Sequence, residues 1–195
     1  MLEESGRPHI VVFSAKNRVQ LEAMLRQIFD YTEAQEDLCL RRLAYSLQLT
    51  RETMECRAAF VVRTRDELLT ALKNCIGKFC GLMEAETPVP IFVGDAKEGR
   101  SIPGTEKENE SIIRLLLADQ SWEKIAWLWT QGARIPWELF YQGEQVRKLS
   151  LPTYPFAKER YSINAGAETE AIEQQENSTA KENTLSLDVP VGLLH

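Results

Sequence analysis

The sequence predicts an α/β (α+β) fold: a small three-stranded, mostly antiparallel sheet packed by helices, then a Trp-rich helix and an extended C-terminal strap. Three observations carry this. Short apolar, β-branched runs at residues 9–13, 56–63 and 89–93 read as strands. Longer segments between them repeat apolar residues every three or four positions, the mark of helices with one buried face. Residues 149–161, LSLPTYPFAKERY, carry Pro152 and Pro155, which fix φ and remove two backbone donors.

In order, residues 1–8 are a polar lead-in. HIVVF at residues 9–13 is continuously apolar, so it is expected to be a central strand. Ser14 and Asn17 are candidate helix caps, and Gln20 stands at capping-box distance from Asn17. Leu21, Met24, Leu25, Ile28 and Phe29 then form one helical face. Asp37 is the candidate cap of a second helix, with face Leu40, Leu43, Ala44 and Leu47. Both sides of the 56–63 strand are apolar, which predicts cover on both faces. Thr64 and Glu67 make another capping box before Leu68, Leu69, Leu72, Ile76 and Phe79, and Gly77 and Gly81 end that helix.

After the third strand, residues 94–104 read as loop from their Gly, Pro and charge content. The helical pattern returns from Lys107 through Ile112, Ile113, Leu116 and Leu117. Ser121 caps a last helix holding Trp122, Ile125, Leu128 and Trp129, with Gly132 as its stop and Trp127 off its apolar face. Residues 135–141 predict a short turn or helix.

Composition excludes several function classes. The net charge is −6, but residues 164–195 hold six acidic groups and one lysine, so the rest is nearly neutral. A nucleic-acid or membrane-surface role based on bulk charge is therefore not expected. No apolar run approaches membrane-spanning length, and no signal peptide opens the chain, which leads to an expectation of a soluble, cytoplasmic protein. The four cysteines lack CxxC spacing and the histidines are His9 and His195 alone, so neither a metal site nor a cofactor is expected. Nucleophile-elbow, dinucleotide, P-loop and zinc-protease motifs are missing, so no catalytic residues are expected.

The strap is the functional candidate. An extended segment with Leu149, Leu151, Tyr154, Phe156 and Tyr161 gains from lying along an apolar groove. That groove is either this domain's own core or one shared with a neighbouring domain. Tyr154 and Phe156 share a side of an extended chain, so one groove can take both rings.

The strap resembles the LPTYPFxRERYW-type linker that follows ketosynthase and acyltransferase domains in modular polyketide synthases, with Ser162 where Trp is usual. Three further blocks resemble the same family: HIVVFSAKNRVQLEAML, LRRLAYSLQLTRETMECRAAFVV and WLWTQGARIPWELFY. Only about fifty residues separate Val93 from the strap, too few for an acyltransferase domain. The resemblance thus implies the ketosynthase-flanking, acyltransferase-docking subdomain of a trans-acyltransferase synthase, a transferase, at residues 9–146. It implies an extended strap at 147–163 that docks a ketosynthase of the same polypeptide through Leu151, Pro152, Tyr154, Pro155, Phe156, Arg160 and Tyr161. A free-standing acyltransferase, an acyl carrier protein, or both are the implied further partners, with Asp95, Lys97, Arg100, Trp127 and Trp137 as contact residues. No small-molecule substrate is implied. Residues 164–195 read as a disordered acidic linker toward a next domain, so the chain is expected to be a piece of a longer protein. Two alternatives stand beside this reading: a lateral self-association module using residues 107–131, and a stand-alone α/β enzyme.

Overall fold

In the computed structural model the described residues are 6–81, 88–97 and 106–155. The element order is β1 (His9–Ala15), α1 (Arg18–Glu33), α2 (Leu40–Leu49), β2 (Cys56–Val62), α3 (Arg65–Phe79), β3 (Ile91–Asp95), α4 (Glu106–Ala118), α5 (Trp122–Thr130) and a 3-10 turn at Trp137–Tyr141. The sheet runs β1-β2-β3 with both pairings antiparallel, as the sequence predicts. β2 is the central strand and β1 an edge, which corrects the expectation for residues 9–13. The apolar run reflects cover of another kind: α2 packs along β1, and Gln48 Nε2 donates to the Ile10 carbonyl at 2.6 Å. A helix side chain does here what a neighbouring strand would do for an edge carbonyl.

The register assigns the faces. Val11, Phe13, Ala58, Phe60, Val62, Ile91 and Val93 share one side, with Phe13 and Phe60 ring centroids 5.5 Å apart. α1 and α3 pack on each other and cover β1 and β2 there. Ile10, Val12, Arg57, Ala59, Val61, Phe92 and Gly94 point to the other side, under α5. Residues 58–62 are buried throughout, so β2 is covered on both faces as expected.

Local chemistry explains the helix ends. Asn17 Oδ1 accepts from the Gln20 amide at 2.9 Å, and Thr64 Oγ1 accepts from the Glu67 amide at 3.1 Å, two of the predicted caps. Glu67 closes its box one residue early, accepting from the Arg63 amide at 2.6 Å. Ser14 is not a cap; it lies in β1, donates to the Glu52 carbonyl and accepts from the Met54 amide. Asp37 is exposed and α2 starts after Cys39 with no side-chain cap. Ser121 precedes α5, but its hydroxyl donates to Asp119 instead of capping. α3 runs through Gly77 to Phe79. The C-terminus of α1 is closed from outside, by Arg65 donating to the carbonyls of Thr32, Glu33 and Gln35. β3 begins at Ile91 and not Val89, because Pro90 has no amide to give the ladder.

Candidate docking surface

Residues 147–155 of the strap lie on the body of the domain. From Val146 the chain has no regular secondary structure, and α2 holds it through its backbone. Arg42 Nε donates to the Arg147 carbonyl at 3.1 Å and Nη2 to the Lys148 carbonyl at 3.2 Å. The Leu149 amide donates to Ser46 Oγ at 2.8 Å, and Arg51 Nη2 donates to the Pro152 carbonyl. Beyond it, the Tyr154 hydroxyl donates to Gln20 Oε1 at 2.9 Å and accepts from the Lys16 amide at 3.1 Å, at the start of α1. Leu149, Leu151 and Tyr154 pack against the hydrophobic core. Of the two grooves left open by the sequence, these residues use the domain's own. Phe156, Arg160 and Tyr161 lie outside the described residues.

Tyr154 forms one wall of a cavity of about 310 Å³ beside Met24, Leu47, Trp129 and Trp137, with Arg51 among its polar atoms. Burial lowers the pKa of Arg51 from the usual guanidinium value.

Just before the strap, the 3-10 turn is tied to α2. Tyr141 donates to Gln48 Oε1 at 2.6 Å, so one glutamine links the turn to the edge of β1. Arg41 pairs with Glu144 and lies over the Tyr141 ring. Burial pushes the Tyr141 phenol well above the ordinary tyrosine range.

The other predicted contact residues separate into exposed and buried sets. Trp127 is 50% exposed on α5, off the apolar face as expected. Trp137 is 6% exposed, with its ring 6.4 Å from that of Trp129 and 5.1 Å from that of Phe140. It belongs to the core and lines the cavity beside Tyr154, so it offers a partner little surface, unlike Trp127. Asp95 and Lys97 form a closed turn. The Lys97 amide donates to Asp95 Oδ1 at 2.9 Å and its ammonium meets Glu55 at 2.7 Å, which raises its pKa. Arg100 is outside the described residues. In the sequence reading Arg42 and Ser46 of α2, and Arg51 just beyond it, have no part in holding the strap, and Gln20 has only a place in the capping box of α1. A buried serine one turn after an arginine, on an otherwise apolar helix face, is the signal that points to them.

Residues 12–78 match the family described as the RhiE-like, KS-MAT linker domain. Polyketide synthase PksR of Bacillus subtilis (strain 168) is 43% identical over 162 residues, covering 80% of this chain and 6% of that protein. PksM of the same organism is 34% identical over 191 residues, covering 97% of this chain and 4% of that protein. This chain is a linker region of a polyketide synthase. The linker spans no more than 6% of the length of these relatives. Solved structures place the same fold in ketosynthase chains. The module 6 ketosynthase of the bacillaene synthase from Bacillus subtilis 168 aligns with a TM-score of 0.66 at 30% identity, over 77% of the linker and 27% of that chain. The module 1 ketosynthase of the bacillaene synthase from Bacillus amyloliquefaciens FZB42 gives 0.67 at 28%, over 80% and 27%. The linker is thus of the kind found beside a ketosynthase. Among the described residues, no helix is long and apolar enough to cross a membrane.

Proposed function

We propose that the linker is a non-catalytic docking subdomain of a cytoplasmic trans-acyltransferase polyketide synthase, itself a transferase. It flanks the ketosynthase of its own polypeptide and presents a surface to a free-standing acyltransferase or to an acyl carrier protein. The observation that carries this reading is the fold shared with ketosynthase chains over most of the linker's length. Its mechanism is positional: a firmly held spacer raises the effective concentration of enzyme and carrier for one another without taking part in the chemistry. Residues 9–146 form the body and 147–163 the strap. The distal strap, with Phe156, Arg160 and Tyr161, is the part left for the ketosynthase, because Leu151 and Tyr154 meet this domain. Trp127, Asp95, Lys97 and Arg100 are the acyltransferase-facing residues.

The test is a binding titration of the chain, fused to its ketosynthase, against a free-standing acyltransferase. Binding is expected at a Kd near or above micromolar, about −8 kcal/mol or weaker. Trp127→Ala is expected to weaken it several-fold with the melting temperature unchanged. Equal binding by both forms overturns the placement, and no binding at all overturns the docking role. A second reading, sideways pairing of two copies through α4, is favoured by Ile112 and Leu115, which are exposed on that helix. Self-association in the same titration, lost in Leu115→Lys, is its signature.

A further inference from the structure

The bonds from Arg42, Ser46 and Arg51 to residues 147–152 are directed at main chain. Arg42 reaches two consecutive carbonyls, Ser46 takes the next amide, and Arg51 takes the Pro152 carbonyl. The spacing suits such a task. Seven helical steps from Arg42 to Leu49 rise about 10 Å, with Arg51 two residues further on, and five extended steps from Arg147 to Pro152 cover about 16 Å. Long arginine side chains absorb the difference. Ser46 is the pivot: buried, it donates to the Arg42 carbonyl at 2.8 Å and accepts from Leu149 on the same oxygen. The strap side chains at Arg147, Lys148, Ser150 and Thr153 are exposed. Pro152 and Pro155 bring no amide that would need a partner. The last tie, Tyr154 between Lys16 and Gln20, sets where the chain stands as it passes the start of α1.

We propose that α2, with Arg51, is a main-chain-reading cradle for an extended, proline-containing segment, which one side chain, Tyr154, anchors at the start of α1. Its occupant is residues 147–155 of this chain. The cradle fixes the place and direction in which the polypeptide leaves the domain, and it does so whatever the exposed strap side chains are. Arg42, Ser46 and Arg51 are positioning residues. Their effect on any neighbouring domain passes through the path of the strap. A second copy's strap would offer the same carbonyls and amide, so the tether is what assigns the occupant to this chain.

Amide hydrogen exchange of the full chain, followed residue by residue, tests this. In Arg42→Gln/Arg51→Gln and in Ser46→Ala, exchange at Leu149 is expected to accelerate about 5- to 30-fold, with the β2 amides unchanged. In Lys148→Ala/Ser150→Ala/Thr153→Ala it is expected to stay within about twofold of wild type. Should the arginine variant loosen β2 as well, Ser46→Ala decides, since alanine fits a buried serine site. Wild-type exchange at Leu149 in Ser46→Ala overturns the proposal. So does a strap-side-chain variant that accelerates as much as the cradle variants. Protection at Leu149 that falls on dilution assigns the occupant to a second copy and overturns the assignment to the same chain.

Discussion

The two faces of the sheet are built on different principles. Under α1 and α3 the sheet offers bulk: Val11, Phe13, Phe60 and Val62 fill the space, and the helices stand away at the distance those side chains require. On the other face, Ile10, Val12, Val61 and Phe92 also bring bulk, but where the end of α5 crosses β2 and β3 the sheet offers little. Ala59 and Gly94 lie there, and a Cβ at Gly94 would sit 2.5 Å from the Thr130 carbonyl oxygen. The α5 terminus therefore rests almost on the backbone of β3. Arg57 supplies what volume does not, donating to the Trp129 carbonyl at 2.7 Å and stacking under the Trp129 ring at 5.1 Å. Burial lowers the pKa of this guanidinium, a sign of how far α5 encloses it. The lesson is that an apolar core tolerates change through repacking, whereas a backbone contact has nothing to repack. The strap residues 147–155 and the 3-10 turn are instead held by α2 and the start of α1, through bonds to backbone atoms and single side chains.

The largest expected effect lies on the bulky face. Phe60→Ala removes a fully buried ring from between the strand and its helices and is expected to cost about 3–5 kcal/mol in urea unfolding. A cost below about 1 kcal/mol would mean that this face collapses freely. Next comes Gly94→Ala, where one methyl meets a backbone oxygen that no rotamer change can move. The expected cost is about 1–3 kcal/mol, with altered fluorescence from Trp129. A neutral or stabilised Gly94→Ala would break the comparison, since it would show α5 to be free to lift.

The smallest effect separates the faces by pH. Cys75 of α3, on the bulky side, has its thiol pushed up to about 12 by burial. Tyr141, in the 3-10 turn against α2, is raised by burial as well. In both cases the fold favours the neutral form. The stability they contribute is complete below the unfolded pKa and is lost as pH rises toward the folded value. Wild type is therefore expected to weaken above about pH 8.5 through Cys75 and further above about pH 10 through Tyr141. Cys75→Ala should remove the first slope and Tyr141→Phe the second, each read as chemical stability from pH 7 to 11. An unchanged alkaline slope in Tyr141→Phe would show that the phenol ionises as readily in the folded chain as in the unfolded one, so that its seat on Gln48 does not hold it neutral.

Much of this was legible. Apolar periodicity located all five helices within a few residues, and capping chemistry marked the starts of α1 and α3 correctly at Asn17 and Thr64. Gly132, at φ 99°, ends α5 where a left-handed residue was expected. The strand rank of β1 was misread because an apolar run reports burial and not what does the burying; a helix lying along an edge leaves the same trace as a second strand. Asp37 failed as a cap for a related reason: the residue type permits the bond, but only the chain path decides whether an amide stands within reach. Trp137 shows the converse. Nothing in its local sequence says whether an aromatic ring faces Trp129 or a partner.

What the sequence by itself determined, then, is the set of elements, their order and the stiffness of the strap. Those follow from local terms, periodicity, caps and proline φ, acting over a turn or a few residues. Which groove takes the strap, and which side chains hold it, was decided only in three dimensions. Arg42 and Lys148, or Gln20 and Tyr154, are over a hundred residues apart in the chain. Their bonds go from a side chain to a backbone atom or a lone hydroxyl, so the strap carries no residue pattern that announces its partner. The contact exists because β1 and β2 place α2 beside the chain's exit, and that placement is a property of the packed sheet.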